Sequence, residues 1–280
     1  AEGKGAISDH HPLALGALWL RNDTIARKEH GHDVILAVGT RLVTSQWLDG
    51  QQVIQIDVDP EEIGRHYENT LRVEGDAKLT MEDLLTALSA KTQAKADRTA
   101  EVAAQKAQRN DDIIKVEPQG ELMEAVRKAM PEDGILIAGM TQLGYYSRAY
   151  FPVYQPRTFI TSSYFGNLGF AFPVALGAKV AKPATAVVAI SGDGGFLYNS
   201  QELATAVQYG INVVVVVFND NAYGNVLRAQ IEHFGGHVLG TRLHNPDFVA
   251  LARSYGATAV QADGAEKLGS ALREALERGA

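Results

Sequence analysis

Short runs of apolar residues alternate along this chain with longer segments whose apolar positions recur at helical spacing. The short runs are rich in Val and Ile and end at Gly, Pro, Asn or Asp, a pattern typical of strands buried in a parallel sheet. They predict strands over 33–39, 53–59, 134–138, 186–190, 212–218 and 257–260. The helical spacing predicts helices over 77–90, 119–130, 169–180, 199–209, 246–255 and 265–278, and another beginning at Pro60.

Strands that alternate with helices predict an α/β fold in which parallel sheets are flanked by helices on both faces. Residues 91–115 are rich in Ala, Gln, Lys and Asp and contain few large apolar side chains, which is typical of a solvated helix or a loose connection. We therefore expect two α/β domains, over 1–90 and 116–280, joined by a linker over 91–115.

The composition narrows the classes of function. Lys and Arg number 26 against 33 Asp and Glu, a net charge of −7, whereas proteins that hold nucleic-acid backbones carry a surplus of basic residues. The longest apolar run, Val213 to Phe218, has six residues, far short of the ~20 that a membrane-spanning helix needs. The chain has no cysteine, which excludes disulfides and thiolate zinc sites and fits a reducing compartment. We expect a cytoplasmic protein that binds neither nucleic acid nor membrane.

The strongest chemical signal is the sequence Ser-Gly-Asp-Gly-Gly-Phe at 191–196, which begins where a predicted strand ends. Ligands of open α/β sheets bind at the carboxyl ends of strands, and glycines let the backbone approach an anion closely. The carboxylate of Asp193 would repel a phosphate unless a cation lay between them. Asp193 is therefore interpreted as a ligand of a hard, oxygen-binding ion such as Mg²⁺ that bridges the protein and a diphosphate.

A second set of oxygen ligands follows one helix and one strand later. The 24 residues over 195–218 bring the sequence Asn-Asp-Asn-Ala-Tyr-Gly at 219–224 to the same edge of the sheet. Each motif alone also has the composition of an ordinary turn or helix cap. Their combination at this spacing favours a shared cation.

With these two motifs the chain resembles the thiamine diphosphate-dependent enzymes, most closely the branch of acetohydroxyacid synthases and benzoylformate decarboxylases. The similarity extends to Gly-Asn-Leu-Gly-Phe at 166–170, Gln-Glu-Leu-Ala at 201–204, Gly-Lys-Gly-Ala at 3–6 and Asp-Val-Asp-Pro-Glu at 57–61. It implies that 1–90 form the later part of the family's Rossmann-like central domain and that 116–280 form its diphosphate-binding domain.

The resemblance implies three metal ligands, which are Asp193, Asp220 and the backbone carbonyl of Ala222. The family usually has Asn where this chain has Asp220, so an additional negative charge lies near the diphosphate, and Asn219 or Asn221 are alternative ligands. The implied cofactor site also includes Thr141, Gln142, Gly166, Asn167, Leu168, Gly192, Gly194, Gly195, Tyr223 and Gly224.

Two of these residues are the catalytic ones that the resemblance implies. Leu168 matches an apolar wedge that folds the two rings of the cofactor against each other. Gly166 matches a residue whose carbonyl accepts a hydrogen bond from the amino group of the cofactor, which would hold the reactive geometry before substrate arrives. By composition alone Leu168 would be an ordinary core residue.

The sequence identifies the substrate contacts less specifically than the cofactor contacts. The resemblance places His11 near the active site, and the segment after the second motif would line the substrate pocket through Asn225, Val226, Leu227 and Arg228. Each has a plain structural alternative, because a histidine also caps loops and an arginine on a helix is usually exposed.

Two further sets of polar residues have weaker support. His233, His237 and His244 resemble a metal set only in number, since no pair has the i, i+4 spacing of a helical zinc site. Asp57 and Asp59 lie at a strand end where some relatives hold FAD or ADP, but much of that site would be missing here, and we predict no FAD.

The implied activity is acetolactate synthase-like: a 2-oxo acid loses CO₂, and the aldehyde unit is released or ligated, with thiamine diphosphate and Mg²⁺ as cofactors. The family carries its activating glutamate on an N-terminal domain that is missing here, so we expect a C-terminal fragment of a larger enzyme. We also expect a homodimer or homotetramer, because the family's active site lies between subunits.

Two alternatives stay open. One is a non-catalytic cofactor-binding module, and the other is a nicotinamide-dependent dehydrogenase, whose G-x-G-x-x-G motif lacks its third Gly at 192–197.

Overall fold

The computed structural model describes residues 2–17, 33–43, 51–91, 97–114 and 117–279. The chain forms two compact units, one of residues 1–18 with 99–280 and the other of residues 19–98. Each unit contains a parallel sheet accompanied by helices, so the predicted α/β fold is confirmed. Among the described residues, every helix is too short or too polar to cross a lipid bilayer.

The smaller unit has a three-stranded parallel sheet in the order β1-β2-β3. Its elements are β1 (Val34–Val38), β2 (Gln52–Asp57), β3 (Thr70–Glu74) and α1 (Ala77–Ser89). The side chain of Asp76 caps α1 by accepting hydrogen bonds from two backbone N–H groups of the first turn. The strand β3 was not predicted, because its sequence Thr-Leu-Arg-Val-Glu is largely polar and exposed.

The helix predicted to begin at Pro60 is wrong, since residues 60–64 form turns. The carboxylate of Asp57 accepts the N–H of Asp59, and the carboxylate of Asp59 accepts the N–H of Glu61. Such local side-chain to backbone bonds compete with helix formation. Gly64, at φ +77°, then turns the chain back towards β3.

The larger unit has a four-stranded parallel sheet in the order β5-β4-β6-β7. Its strands are β4 (Ile135–Ala138), β5 (Phe159–Thr161), β6 (Val187–Gly192) and β7 (Val214–Phe218). Its helices are α2 (Thr99–Ile114), α3 (Gln119–Ala129), α4 (Gln142–Tyr150), α5 (Ala171–Ala181), α6 (Asp193–Leu197), α7 (Glu202–Gln208), α8 (Gly224–His233), α9 (Phe248–Ser254) and α10 (Gly264–Glu277).

Alternate residues of β4 and β6 are buried on opposite faces of this sheet, as the period of a strand requires. One face packs on α3 and α10 through Leu136, Ala138, Val188, Ile190, Val126 and Leu272. The other packs on α5 through Ile135, Ile137, Val187, Ala189, Ala171 and Ala175. The two central strands are therefore buried on both sides, which explains their continuous apolar sequences.

The strand predicted over 257–260 is wrong. These residues belong to no sheet of the described part of the chain, and Val260 is 66% exposed. Ala257 is half-buried and packs against the cluster around Phe196, which includes residues of α7, α9 and β7. β7 therefore has a strand on one side only and is an edge of the sheet.

Candidate functional site

The carboxyl ends of the four parallel strands meet at one edge of the larger sheet. Ala138 of β4 pairs with Ile190 of β6, and Gly192 of β6 pairs with Phe218 of β7. The residues that follow these strands are therefore neighbours across the edge. This register brings together the loops that contain the two sequence motifs and the loop after β4.

Asp193 begins α6 directly after β6, and it is only 2% exposed. Its Oδ1 accepts the N–H of Gly194 at 2.7 Å, and its Oδ2 accepts a hydrogen bond from Nδ2 of Asn245 at 2.6 Å. The same Nδ2 also donates to Oδ1 of Asn219 at 2.7 Å. The ends of β6 and β7 are thus joined through one side-chain amide.

Asp220 follows β7 and is exposed. Its Oδ1 accepts the N–H of Ala222 at 3.2 Å. A Cβ placed on Gly224 would lie 2.8 Å from Oδ2 of Asp220 and 3.2 Å from Nε2 of Gln142, so both side chains border this glycine. Although the residue as a whole is exposed, partial burial of its carboxyl group, followed by the negative charge of Asp193, raises the pKa of Asp220. The charge of Asp193 therefore reaches the carboxyl group of Asp220.

Ala222 lies in a short antiparallel bridge with Arg242. On either side of it, the N–H of Tyr223 donates to the carbonyl of Thr241 at 2.9 Å, and the N–H of Leu243 donates to the carbonyl of Asn221 at 2.8 Å. In an extended segment, neighbouring residues direct their backbone groups to opposite sides. The N–H of Ala222 accordingly points back to Asp220, and its carbonyl shares that direction.

Three glycines around Asp193 lack side chains, which lets other residues approach this backbone. A Cβ on Gly194 would lie 2.4 Å from Cε1 of Tyr223, and one on Gly195 would lie 3.9 Å from Cδ2 of Leu168. A Cβ on Gly192 would lie 3.6 Å from the Cβ of Thr141. The backbone of 192–195 is thus approached by residues from three separate loops.

Tyr223 is held firmly above this backbone. Burial, followed by a hydrogen bond with Tyr198, raises the pKa of Tyr223. Its phenol therefore stays neutral beside the carboxylate of Asp193, and it adds no further negative charge to the site.

The loop after β5 carries Gly166, Asn167 and Leu168. Gly166 ends a short 3₁₀ helix (Ser163–Phe165) at φ +58°, a conformation that favours glycine. The side chain of Asn199 donates to the carbonyl of Gly169 at 2.7 Å and so fixes this loop beside the segment that follows α6. Leu168 is half-buried at the site and does not belong to a core cluster of the described residues.

The other predicted residues lie elsewhere or on the surface. Nδ1 of His11 accepts the N–H of Leu13 at 3.1 Å, within the N-terminal segment. Asn225 and Arg228 contact each other on the exposed surface of α8 at 3.5 Å, and Val226 is 53% exposed. Leu227 is half-buried on the same helix. Within the described ranges, no three His, Asp or Glu side chains are grouped to hold a metal, so the three-histidine set is not formed.

Asn245 is the residue that sequence reasoning missed. It precedes Pro246, where the sequence predicts that a helix begins, whereas the helix begins at Phe248. Its role depends on a contact with Asp193, 52 residues earlier in the chain. The sequence signal was limited to an Asn-Pro pair, which is common in turns.

The donors and acceptors at this edge fit a divalent cation and a diphosphate. Two carboxylates and a turn carbonyl supply the oxygen ligands that Mg²⁺ prefers. Oδ1 of Asn245 is buried and has no hydrogen-bond partner among the described residues, and a hydrated cation beside it would supply a donor. Gly192 leaves its backbone partly exposed at this edge, whereas Gly194 and Gly195 are buried.

Comparison with known proteins agrees with this geometry. Residues 139–280 match the family "Thiamine pyrophosphate enzyme, C-terminal TPP binding domain", and residues 1–84 match "Thiamine pyrophosphate enzyme, central domain". The chain is 35% identical over 292 positions to a probable acetolactate synthase large subunit of Methanocaldococcus jannaschii, covering 98% of this chain and 49% of that one.

Two further relatives are named for activities that differ from each other. Acetolactate synthase isozyme 3 large subunit of Escherichia coli is 31% identical, with 99% of this chain and 51% of that one covered. A probable 2-ketoarginine decarboxylase of Pseudomonas aeruginosa is 31% identical, with 97% and 49% covered. The chain therefore spans about half the length of these relatives.

Proposed function

The chain belongs to the thiamine pyrophosphate enzyme family, and from that membership we propose that it binds thiamine diphosphate and Mg²⁺ and takes part in the decarboxylation of a 2-oxo acid. The observation that carries this proposal is the convergence of Asp193 and Asp220, from adjacent parallel strands, beside a backbone lined with glycine. Such an edge is where open α/β sheets bind their ligands.

The cation would be held by Asp193, Asp220 and the carbonyl of Ala222. The carboxylate of Asp193 is oriented before the cation binds, because both of its oxygens accept hydrogen bonds. A divalent ion would also offset the partial burial and the negative charge of Asp193, which together raise the pKa of Asp220.

The diphosphate would lie against the backbone of Gly192, Gly194 and Gly195, with Thr141 and Gln142 on its other side. This placement is supported by the partly exposed backbone at Gly192 and by the approach of Gln142 to Gly224. A cation between Asp193 and the phosphates would remove the repulsion between these negative groups.

The ring system would rest on Leu168, with the carbonyl of Gly166 as an acceptor and Asn167 beside it. Gly166 is held in a left-handed conformation, so the direction of its carbonyl is set by the fold. When bound, thiamine diphosphate supplies the electron sink that stabilises the carbanion left after CO₂ departs. The chain's own contribution is to position the cofactor and shape its surroundings.

The substrate would approach from the side of α8. Arg228 would pair with the carboxylate of the 2-oxo acid, while Asn225, Val226 and Leu227 would shape its surroundings. His11 receives no substrate contact in this proposal, because its neighbours Asp9 and His10 contact Val153 and Glu132, which precede β5 and β4. The relatives include both a synthase and a decarboxylase. We propose loss of CO₂ as the shared step and do not assign the fate of the remaining unit.

Turnover needs groups beyond these residues. We propose that the activating glutamate comes from an additional N-terminal pyrimidine-binding domain. We also propose that the active protein is a cytoplasmic homodimer or homotetramer. Within this chain, residues 1–90 would act as the central domain, 91–115 as the linker and 116–280 as the diphosphate-binding domain. The alternative of a cofactor-binding module without turnover is separated from the enzyme by the measurements below. Family membership disfavours the nicotinamide alternative.

Two measurements test the proposal. Calorimetric titration of the chain with thiamine diphosphate is expected to give binding only when Mg²⁺ is present. The product of the complete gene is then assayed for CO₂ release from a panel of 2-oxo acids. Binding with CO₂ release supports the enzyme, binding without release supports the module, and absence of Mg²⁺-dependent binding overturns both.

A further inference from the structure

The loop over 239–245 is fixed along its length to the elements around the site. The side chain of Gln230 on α8 donates to the carbonyl of Leu239 at 3.1 Å, and its Oε1 accepts both the N–H of Leu239 and the hydroxyl of Thr241. The bridge between Ala222 and Arg242 then continues the attachment. The loop therefore delivers Asn245 to the sheet edge in a defined position.

Asn245 makes its two hydrogen bonds to groups from different strands. One N–H of its amide donates a hydrogen bond to Oδ2 of Asp193 at 2.6 Å, and the other donates to Oδ1 of Asn219 at 2.7 Å. Because the amide is neutral and has two donors, it joins both acceptors without adding charge. The carboxylate of Asp193 is almost completely buried, so loss of this donor would leave an oxygen without a partner.

We infer that Asn245 is a positioning residue for the cation that anchors the diphosphate. By holding Oδ2 of Asp193, it sets the orientation of the carboxylate, and by holding Asn219 it fixes the end of the edge strand β7 against the central strand β6. The distance between Asp193 and the turn that carries Asp220 and Ala222 is thereby set before any ligand binds. The inference rests on the proposed function, because it concerns the same cation.

The expected effect is on cation affinity. Outer partners of metal ligands typically change metal affinity by about 10–100-fold when they are removed. Asn245→Leu keeps a similar side-chain shape and removes both donors. We expect it to raise the Mg²⁺ concentration needed for half-maximal thiamine diphosphate binding at least about 10-fold. Asn245→Ser, which keeps one hydroxyl donor, is expected to fall between this variant and the unmodified chain.

The experiment titrates Mg²⁺ into the chain at a fixed, saturating concentration of thiamine diphosphate and follows binding by calorimetry. Mn²⁺ then replaces Mg²⁺, and its electron paramagnetic resonance spectrum reports the symmetry of the bound ion. The matched control is Asp247→Ala, which removes the acceptor for the N–H of Ala250 at the start of α9, two residues from Asn245. The control is expected to lower the unfolding temperature while leaving the Mg²⁺ requirement unchanged.

The outcomes separate the two hypotheses. If the unmodified chain shows no Mg²⁺-dependent binding, the proposed function is wrong. If it binds and Asn245→Leu needs the same Mg²⁺ concentration with the same Mn²⁺ spectrum, the positioning role is wrong. An equal change in the Asp247→Ala control also overturns it, since the effect would then be general to the loop. If Asn245→Leu does not fold, Asn245→Ser decides, and it must raise the Mg²⁺ requirement at least about 3-fold.

Discussion

The ends of β6 and β7 carry the same residue type in opposite environments. Asp193 follows a central strand whose first five residues are buried, and both of its oxygens accept hydrogen bonds. Asp220 follows an edge strand of half-buried residues, is itself exposed, and has a hydrogen bond only to its own turn among the contacts described. The carboxylate after the central strand is therefore buried and held by the start of α6 and by Asn245, whereas the one after the edge strand is held by its own turn.

This difference suggests a division of roles between the two proposed ligands. A group held rigidly before binding loses little conformational freedom when a cation arrives. A more exposed group adapts to the cation and contributes mainly its charge. We therefore expect Asp193 to determine whether the cation binds, and Asp220 to tune how tightly it binds.

The largest expected effect is the loss of Asp193. Asp193→Ala removes an oriented ligand and leaves the amide of Asn245 without its main acceptor. It is expected to weaken Mg²⁺-dependent thiamine diphosphate binding by more than about 100-fold, beyond the range for an outer partner. Asp220→Ala is expected to weaken it by about 10-fold, because Asn219 and Asn221 remain as oxygen donors. Calorimetry with both variants measures the contrast, and equal losses would contradict the proposed division.

The next effect concerns the backbone between the two carboxylates. Gly194→Ala would place a Cβ 2.4 Å from the ring of Tyr223, and overpacking of this kind costs about 1–3 kcal/mol. Gly192→Ala is the matched control, since its nearest contact is 3.6 Å and its φ of −77° suits any residue. It is expected to be neutral or to stabilise by up to about 1 kcal/mol.

Chemical denaturation without cofactor measures both glycine variants. Removal of the phenol ring by Tyr223→Ala in the Gly194→Ala background is expected to recover part of the lost free energy of unfolding. If Gly194→Ala is as stable as Gly192→Ala, the close contact between Gly194 and Tyr223 does not restrict which residues position 194 accepts.

Much of the larger sheet could be predicted because its signals are local. The runs at β4, β6 and β7 are continuous and apolar, since β4 and β6 are buried on both faces. The two motifs follow such strands, so their meeting at one edge follows from parallel order alone. The smaller elements lacked this signal: β5 has three residues, and β3 is mostly polar.

The errors have a common physical origin in contacts between distant residues. Residues 257–260 resemble a strand in sequence, but among the described residues they pair with no strand, and Ala257 packs against the cluster around Phe196. Asn245 resembles an ordinary residue before a proline, and its importance depends on Asp193. A periodic sequence reports which side chains are buried, but it does not report the partner against which they are buried.

The smallest expected effect sharpens the comparison at the edge strand. Asp220→Asn keeps an oxygen ligand, so thiamine diphosphate binding with Mg²⁺ is expected to change by less than about 3-fold. Without the cation, however, it removes a negative charge close to Asp193, so the unfolding temperature is expected to rise at pH 7.

A carboxyl whose pKa is raised by folding binds more protons in the folded state, so its contribution to stability falls as the pH rises through that pKa. The advantage of the Asn variant should therefore shrink as the pH is lowered towards the ordinary value of 3.8. Thermal unfolding at several pH values measures this trend. A constant difference would mean that the charge of Asp220 is already screened by solvent, and that the central carboxylate alone defines the electrostatics of the site.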